Sequence, residues 1–154
     1  MSDHERTFVM VKPDAFARGL VGDVISRLEE RGLKLVGIKV ETMPRERAEE
    51  HYGEHEDKPF YDDLVEFITS GPVVPMVWEG QDATRQVRRM IGDTDPAEAD
   101  PGTIRGDYAL DLGRNVVHAA DHADEGANER EIGLHFDEDE LTEYDAHDAE
   151  WLYE

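Results

Sequence analysis

The decapeptide Gly113–His122, GRNVVHAADH, holds the residues of this chain best suited to do chemistry. A Gly-Arg-Asn turn leads into two β-branched residues and then His118, which sets an imidazole at the end of a short apolar strand. A neutral ring nitrogen becomes a nucleophile when the other nitrogen is held by an orienting group. Glu131, in the acidic helical segment that follows, is placed to be that group. Attack on a phosphoryl group would also need cations around the transferred charge. Lys12, Arg85, Arg88, Arg89, Arg105 and Arg114 supply them. Two other readings stay open on the residues alone. His118 and His122, with Asp121 and Glu131, could ligate zinc, although a strand end does not keep i, i+4 geometry. The Glu expected beside the first His of a zinc peptidase is also missing. Alternatively, His118 is a hydrogen-bonded core residue.

Those cations stand out against the rest of the chain. Of 154 residues 38 are Asp or Glu and 16 are Lys or Arg, a formal net charge of −22. The segment from Asp137 to Glu154 has no Lys or Arg at all. Such a charge opposes binding to nucleic acid or to an anionic membrane. If a polyphosphate binds, it must bind at the basic cluster, because the remaining surface repels it. Salt bridging to neighbouring acids is the plainer account of such a cluster, but guanidinium forks suit phosphate better than point charges do. Neither a P-loop nor a dinucleotide-binding glycine fingerprint is present, so side chains would hold the phosphates. The absence of cysteine excludes disulfides and thiol chemistry. No apolar run is long enough to span a membrane, and the polar start MSDHER is unlike a signal peptide. The expectation is a cytoplasmic protein adapted to a salt-rich interior, where screening makes the acidic surface tolerable.

The elements that must position these residues follow from apolar spacing. Arg6–Lys12 reads as a buried central strand, closed by Pro13 with Lys12 at its end. Val21, Val24, Ile25 and Leu28 form a helical stripe closed by Gly32. Leu33–Glu41 reads as a second strand. Arg45–Gly53 reads as a surface helix carrying His51 and Tyr52. A further helix opens at Lys58–Pro59, with Phe60, Leu64, Phe67 and Ile68 on one face. Val73–Trp78 reads as a third strand, and Pro75 within it predicts an edge position or a bulge. Ala83–Ile91 reads as a helix with Ala83, Val87, Met90 and Ile91 inward and its arginines outward. The turn-rich connection from Asp93 to Gly106 is too long for a plain linker and predicts function.

Taken in order, several segments resemble nucleoside diphosphate kinases. They are Thr7–Asp14, Gly19–Gly22, His51–Tyr52, Lys58–Phe60, Ser70–Val73, Pro101–Asp107 and Gly113–His118. The closing Trp151–Glu154 is similar to the end of the longer, hexamer-forming members. The resemblance spans nearly all the chain and implies an α+β fold: a ferredoxin-like βαββαβ core, its four-stranded antiparallel sheet flanked by helices. The chain then reads as a single domain, 1–154, with an acidic extension at 137–154. The implied reaction is ping-pong transfer of the γ-phosphoryl of a nucleoside triphosphate to a nucleoside diphosphate, through a phosphohistidine on His118. Matched position by position, Lys12 and Asn115 would meet the sugar hydroxyl and phosphate, with Lys12 also near the γ-phosphoryl. Arg88, Thr94 and Arg105 would clamp phosphates. Phe60 would lie on the base, with Leu64 beside it and Leu112 on its other side. Tyr52 would sit next to the histidine, and Glu131 would hold its ring. Stacking on Phe60 does not distinguish bases, so broad base specificity is implied. Mg²⁺ would be held mainly by the nucleotide phosphates, with few or no protein ligands. The implied assembly is a homo-hexamer, as a trimer of dimers or a dimer of trimers.

Three departures qualify the resemblance. Ala119–Ala120 replaces the usual Gly-Ser, and loss of the serine hydroxyl predicts reduced activity or a nucleotide-binding relative; Ala120→Ser would then raise the rate. The segment before Glu131 is two residues longer than usual, and Glu131 rather than Glu129 is taken as the acid because the pattern continues after it. His135 stands where Trp is common and reads as packing, while His122 reads as surface or loop.

Overall fold

The computed structural model describes residues 4–154; the first three residues of the polar N-terminal segment lie outside them. The strands and helices in chain order are β1 (His4–Val11), α1 (Pro13–Ala17), α2 (Val21–Glu30), β2 (Lys34–Ile38), β3 (Glu41–Thr42), α3 (Arg45–His51), α4 (Tyr61–Ile68), β4 (Pro72–Gln81), α5 (Ala83–Ile91), α6 (Ile104–Tyr108), β5 (Val117–Ala119), α7 (Ala127–His135) and α8 (Ala149–Leu152). The sheet runs β2-β4-β1-β5, and every pairing is antiparallel. With β3 set aside this is the ferredoxin-like order; β3 adds a two-residue fifth strand beside β4.

Alternation along β1 divides the core. Val9 and Val11 join Val24, Leu28, Trp78 and Val87 beneath α2 and α5, while Phe8 and Met10 join Val36, Val65, Ile68 and Ala120 beneath α3, α4 and α7. Both faces of β1 are covered, which is why its sequence is an unbroken apolar run.

Pro75 does not mark an edge. β4 is central, paired with β1 on one side and with β2 and β3 on the other. Lys39 N–H donates to the Pro75 carbonyl, so both backbone groups of residue 75 face the β2 side. There the ladder is interrupted between β2 and β3, and the missing N–H of proline leaves no partner unmet. The register shift in the β2–β4 pairing lies at Leu35–Gly37, away from the proline. The same interruption divides the expected strand 33–41 into β2 and β3. Further differences are local. Pro13 opens the one-and-a-half-turn α1 as well as closing β1, since proline is favoured at a first helical position. The helix expected from Lys58 begins at Tyr61 and buries Val65 and Ile68; Phe67 is only half-buried and lies under the Arg114 guanidinium, 4.2 Å from ring centre.

Candidate active site

His118 lies opposite Met10 in the β1–β5 pairing and therefore shares the face of Phe8, Met10 and Lys12. The backbone leading to it is unusual. Val116 has φ of 77°, and the Val117 N–H donates to the Asn115 carbonyl at 2.8 Å. Together these form a γ-turn, a strained shape for a β-branched residue. It is held from both sides: Val116 N–H donates to Asp14 Oδ2 at 3.0 Å, and the Val116 carbonyl accepts from Lys12 N–H at 2.9 Å.

The motif Pro101–Asp107 builds a brace for that turn. Thr103 caps α6 by accepting from Gly106 N–H. Gly106 has to be glycine, because a Cβ there would stand 1.9 Å from the Asp100 carbonyl oxygen. The helix start thus fixed directs Arg105 inward, where it donates to the carbonyls of Asn115 (3.2 Å), Gly92 (3.2 Å) and Val117 (2.6 Å). A guanidinium has five N–H groups, so two remain beyond these three bonds. Lys12 Nζ donates to Asn115 Oδ1 at 2.8 Å, and Asn115 Nδ2 donates to the Thr94 carbonyl at 3.0 Å. One arginine of α5 turns out not to face outward: Arg88 is half-buried and donates to the Ala119 carbonyl at 3.0 Å. Arg85 and Arg89 stay on the surface, bonded to Asp82 and Gln86, and Arg114 is occupied with Phe67. Of the six cations, Lys12, Arg88 and Arg105 therefore converge.

The opposite side of His118 belongs to α7. Its Nε2 lies 2.6 Å from Glu131 Oε1, with both side chains largely shielded from solvent. Burial, then the charges of Lys12, Arg105 and Arg88, push the imidazole down to about 3, so the ring is neutral. A neutral ring facing a carboxylate carries its proton on Nε2, and Nδ1 keeps a free lone pair. Burial raises Glu131. Lys12 is pushed down to about 8, by burial first and then by Arg105, with Asp14 opposing; burial and Arg88 hold Arg105 at about 10. Ala120 is fully buried, and Glu131 meets His118 without help from a serine hydroxyl.

Residues not foreseen in these roles complete the surroundings. Asn128 accepts from Thr7 Oγ1 (2.9 Å) and Phe8 N–H (3.2 Å) and donates to Thr84 Oγ1 (2.6 Å), fastening α7 to β1 and α5. His51 presents its ring edge-on to His118 at 4.7 Å between centroids, and its Nδ1 shares a 2.9 Å hydrogen bond with Nε2 of His135. His135 is buried and stacks on Phe8, so it does serve packing, but it also holds His51. Tyr52 is buried against His51, with centroids 4.6 Å apart, and burial drives its hydroxyl up. The local signal for these was spacing: Asn128 stands one turn before Glu131, and His135 one turn after it. His122 is in a loop, where its Nδ1 lies 3.9 Å from Asp121.

Two clefts meet this site. One, of about 440 Å³, is lined by His51, Tyr52, His55, His118, Arg130 and Glu131 among others. The second, of about 490 Å³, is lined by Arg88, Arg89, Asp93, Thr94, Thr103 and His122 among others. Phe60 and Leu112 stand about half exposed and Leu64 is half-buried. A larger groove of about 920 Å³ along α7 is lined by seven carboxylates and two arginines, the wrong sign for a phosphate. Among the described residues, no helix is long and apolar enough to cross a membrane.

Residues 5–141 match the family profile described as nucleoside diphosphate kinase. A protein of that name from Haloarcula marismortui is 72% identical over the full length of both chains. The structure of a halophilic nucleoside diphosphate kinase from Halobacterium salinarum, in complex with CDP, superposes with a TM-score of 0.96 at 64% identity, covering 97% of this chain and 99% of that one. A nucleoside diphosphate kinase family protein from Babesia bovis superposes with a TM-score of 0.93 at 42% identity and the same coverage.

Proposed function

The chain belongs to the nucleoside diphosphate kinase family, and from that premise we propose that His118 carries the phosphoryl group between two nucleotides. The enzyme transfers the terminal phosphoryl of a nucleoside triphosphate to a nucleoside diphosphate. The observation supporting His118 is its bond to Glu131, which keeps the proton on Nε2 and leaves Nδ1 nucleophilic. In the first half-reaction the Nδ1 lone pair forms a bond to the γ-phosphorus. The bond from phosphorus to the β,γ-bridging oxygen breaks, and the diphosphate departs with those electrons. In the second, a terminal oxygen of the acceptor diphosphate attacks phosphorus, the N–P bond breaks and its electron pair returns to Nδ1. Glu131 stabilises the charge that the ring gains while phosphorylated, and the cations stabilise the equatorial oxygens.

Lys12 and Asn115 would meet sugar and phosphate, with Lys12 reaching the γ-phosphoryl. Arg88 and Thr94 would grip phosphates, joined by the two N–H groups of Arg105 not bonded to carbonyls. Phe60 would stack on the base between Leu64 and Leu112, which accounts for broad base specificity. Tyr52 would act through His51, its neighbour. A purely nucleotide-binding relative is not favoured, since the Glu131–His118 contact forms with alanine at position 120.

The family uses a divalent metal, and we take it to be Mg²⁺. The donors around the phosphate cleft suit a hard ion that stays mostly on the nucleotide: Asp93, Asp100, Thr94 and Thr103 offer oxygen, while Arg88 and Arg89 balance the two carboxylates. When bound, Mg²⁺ offsets phosphate charge and orients the β- and γ-oxygens. A homo-hexamer is supported by apolar surface left uncovered in the isolated chain, including Leu110 at 97% exposure and Trp151 at 84%. The chain is read as one domain with the acidic extension 137–154, working in a salt-rich cytoplasm.

Incubation with γ-labelled ATP and Mg²⁺ tests the central reading. Label should be acid-labile, alkali-stable and discharged by any added nucleoside diphosphate. His118→Ala should accept none; label persisting in that variant would refute it.

A further inference from the structure

His51, His118 and Glu131 each direct a ligand atom into the same cleft, and those atoms lie within 4.8 Å of one another. We propose that they form a site for a borderline transition-metal dication, represented by Zn²⁺, whose binding excludes phosphorylation of His118. Two imidazoles and a carboxylate make a donor set that Zn²⁺ accepts readily. Mg²⁺ prefers oxygen alone and discriminates against it. The site is therefore separate in chemistry from the phosphate-borne metal of the transfer reaction.

Geometry supports the assignment beyond the count of donors. Nδ1 of His51 is engaged with Nε2 of His135, which leaves Nε2 of His51 as its ligand atom. A ligating histidine usually donates its second N–H to a buried acceptor, which fixes both tautomer and ring direction. His135, buried and stacked on Phe8, supplies that acceptor in the tautomer that carries its own proton on Nδ1. Donors on a tetrahedral zinc stand about 3.3 Å apart. His118 and Glu131, now 2.6 Å apart, would separate by about 0.7 Å to admit the ion, and the farthest pair of the three, within 4.8 Å, would close by up to about 1.5 Å. The cleft keeps an opening, so water or chloride can fill the fourth position.

The consequence for transfer follows from the imidazole's single proton. With Nε2–H donated to Glu131, Nδ1 is free. A metal on Nε2 moves the proton to Nδ1, and a metal on Nδ1 uses its lone pair directly. In either case no lone pair remains for phosphorus. This inhibitory consequence rests on His118 being the phosphoryl carrier; the binding does not.

The test is a titration of the full chain in concentrated salt with Zn²⁺, and with Co²⁺ for its visible absorption. One ion per chain should bind, with tetrahedral Co²⁺ bands. His51→Gln and Glu131→Gln should each bind at least about tenfold more weakly, and His135→Phe about 10- to 100-fold more weakly. Protein already phosphorylated should lose the site, an arm that needs no substitution. Equimolar Zn²⁺ in excess Mg²⁺ should block labelling by ATP, and a zinc-selective chelator should restore it. Several weak ions per chain, indifferent to phosphorylation and to these variants, would identify surface carboxylates and overturn the proposal. Unimpeded labelling of zinc-loaded protein would overturn it too. Absence of labelling before any zinc is added would instead remove the phosphoryl-carrier reading, with the titration still deciding the metal site.

Discussion

Asn128 and Glu131 stand one turn apart on α7, and both reach back to the sheet. Asn128 bonds β1 through Thr7 and Phe8, and Glu131 bonds His118 on the adjacent β5. Glu131 can hold the imidazole because Asn128 holds the helix. Asn128→Ala would leave the buried Thr7 hydroxyl and Phe8 N–H without that partner, at a cost of about 1–3 kcal/mol. The expected result is a lower denaturation midpoint together with a lower kcat and little change in KM. A loss of stability with an unchanged kcat would show that α7 needs no such fastening for catalysis.

The Nε2–H tautomer of His118 determines where the phosphoryl group attaches. Phosphorus should be found on Nδ1 of His118, as two-dimensional NMR of the labelled protein can establish. Glu131→Gln keeps the shape but removes the charge, and should slow phosphorylation by about 10- to 1,000-fold. Phosphorus on Nε2 would contradict the role given to Glu131.

The proposed contact of Lys12 with phosphate would couple nucleotide binding to pH. The Lys12 amine, held near 8 by burial and by Arg105, is partly neutral in free enzyme at mildly alkaline pH. A bound phosphate favours the charged form and raises the value, so binding takes up protons. Affinity should therefore fall as pH rises through 8. Calorimetry in buffers of different ionisation enthalpy should show uptake at about pH 8.5 that largely disappears by about pH 7. Lys12→Met should bind nucleotide more weakly and lose the uptake.

The net charge of −22 predicts a salt requirement for stability. Repulsion between exposed carboxylates acts over about 10 Å at 0.1 M salt and about 3 Å at 1 M. Tm should fall on dilution of salt, by about 2–4 °C for each kcal/mol lost. The proposed hexamer should dissociate over the same range, as sedimentation would report. Undiminished Tm in dilute salt would show that the acids are compensated locally.

Periodicity alone reached most of the sheet and the helices that cover it, because both faces of β1 and the stripes of α2 and α5 are apolar at regular intervals. The central position of β4 was not legible: a proline reveals a missing N–H but not which neighbour that N–H would face. Lys12, Arg88, Arg105, Asn115, His118 and Glu131 stood out through charge contrast and motif order. Their division of labour did not. Arg105 reads as a phosphate ligand alone until its three carbonyl partners, from residues 92, 115 and 117, show that it also braces the turn before His118. Asn128 and the His51–His135 pair were missed for the same reason: helical spacing puts residues 128 and 135 on the face of Glu131 but does not reveal hydrogen-bond partners 120 or 84 positions away.

The γ-turn at Val116 sets backbone strain against core packing at a single residue. Its strain, on the order of 1–3 kcal/mol, vanishes whenever the chain unfolds, so it works against the native state throughout the protein's life. Glycine at 116 would relieve that strain but would also empty a fully buried core position, a loss at least as large as the strain itself. Glycine would also let the peptide before His118 settle in more than one direction. The variant would therefore be expected to melt at a lower temperature and to lose the aim of its imidazole, which makes residue 116 a position to leave alone when engineering for robustness.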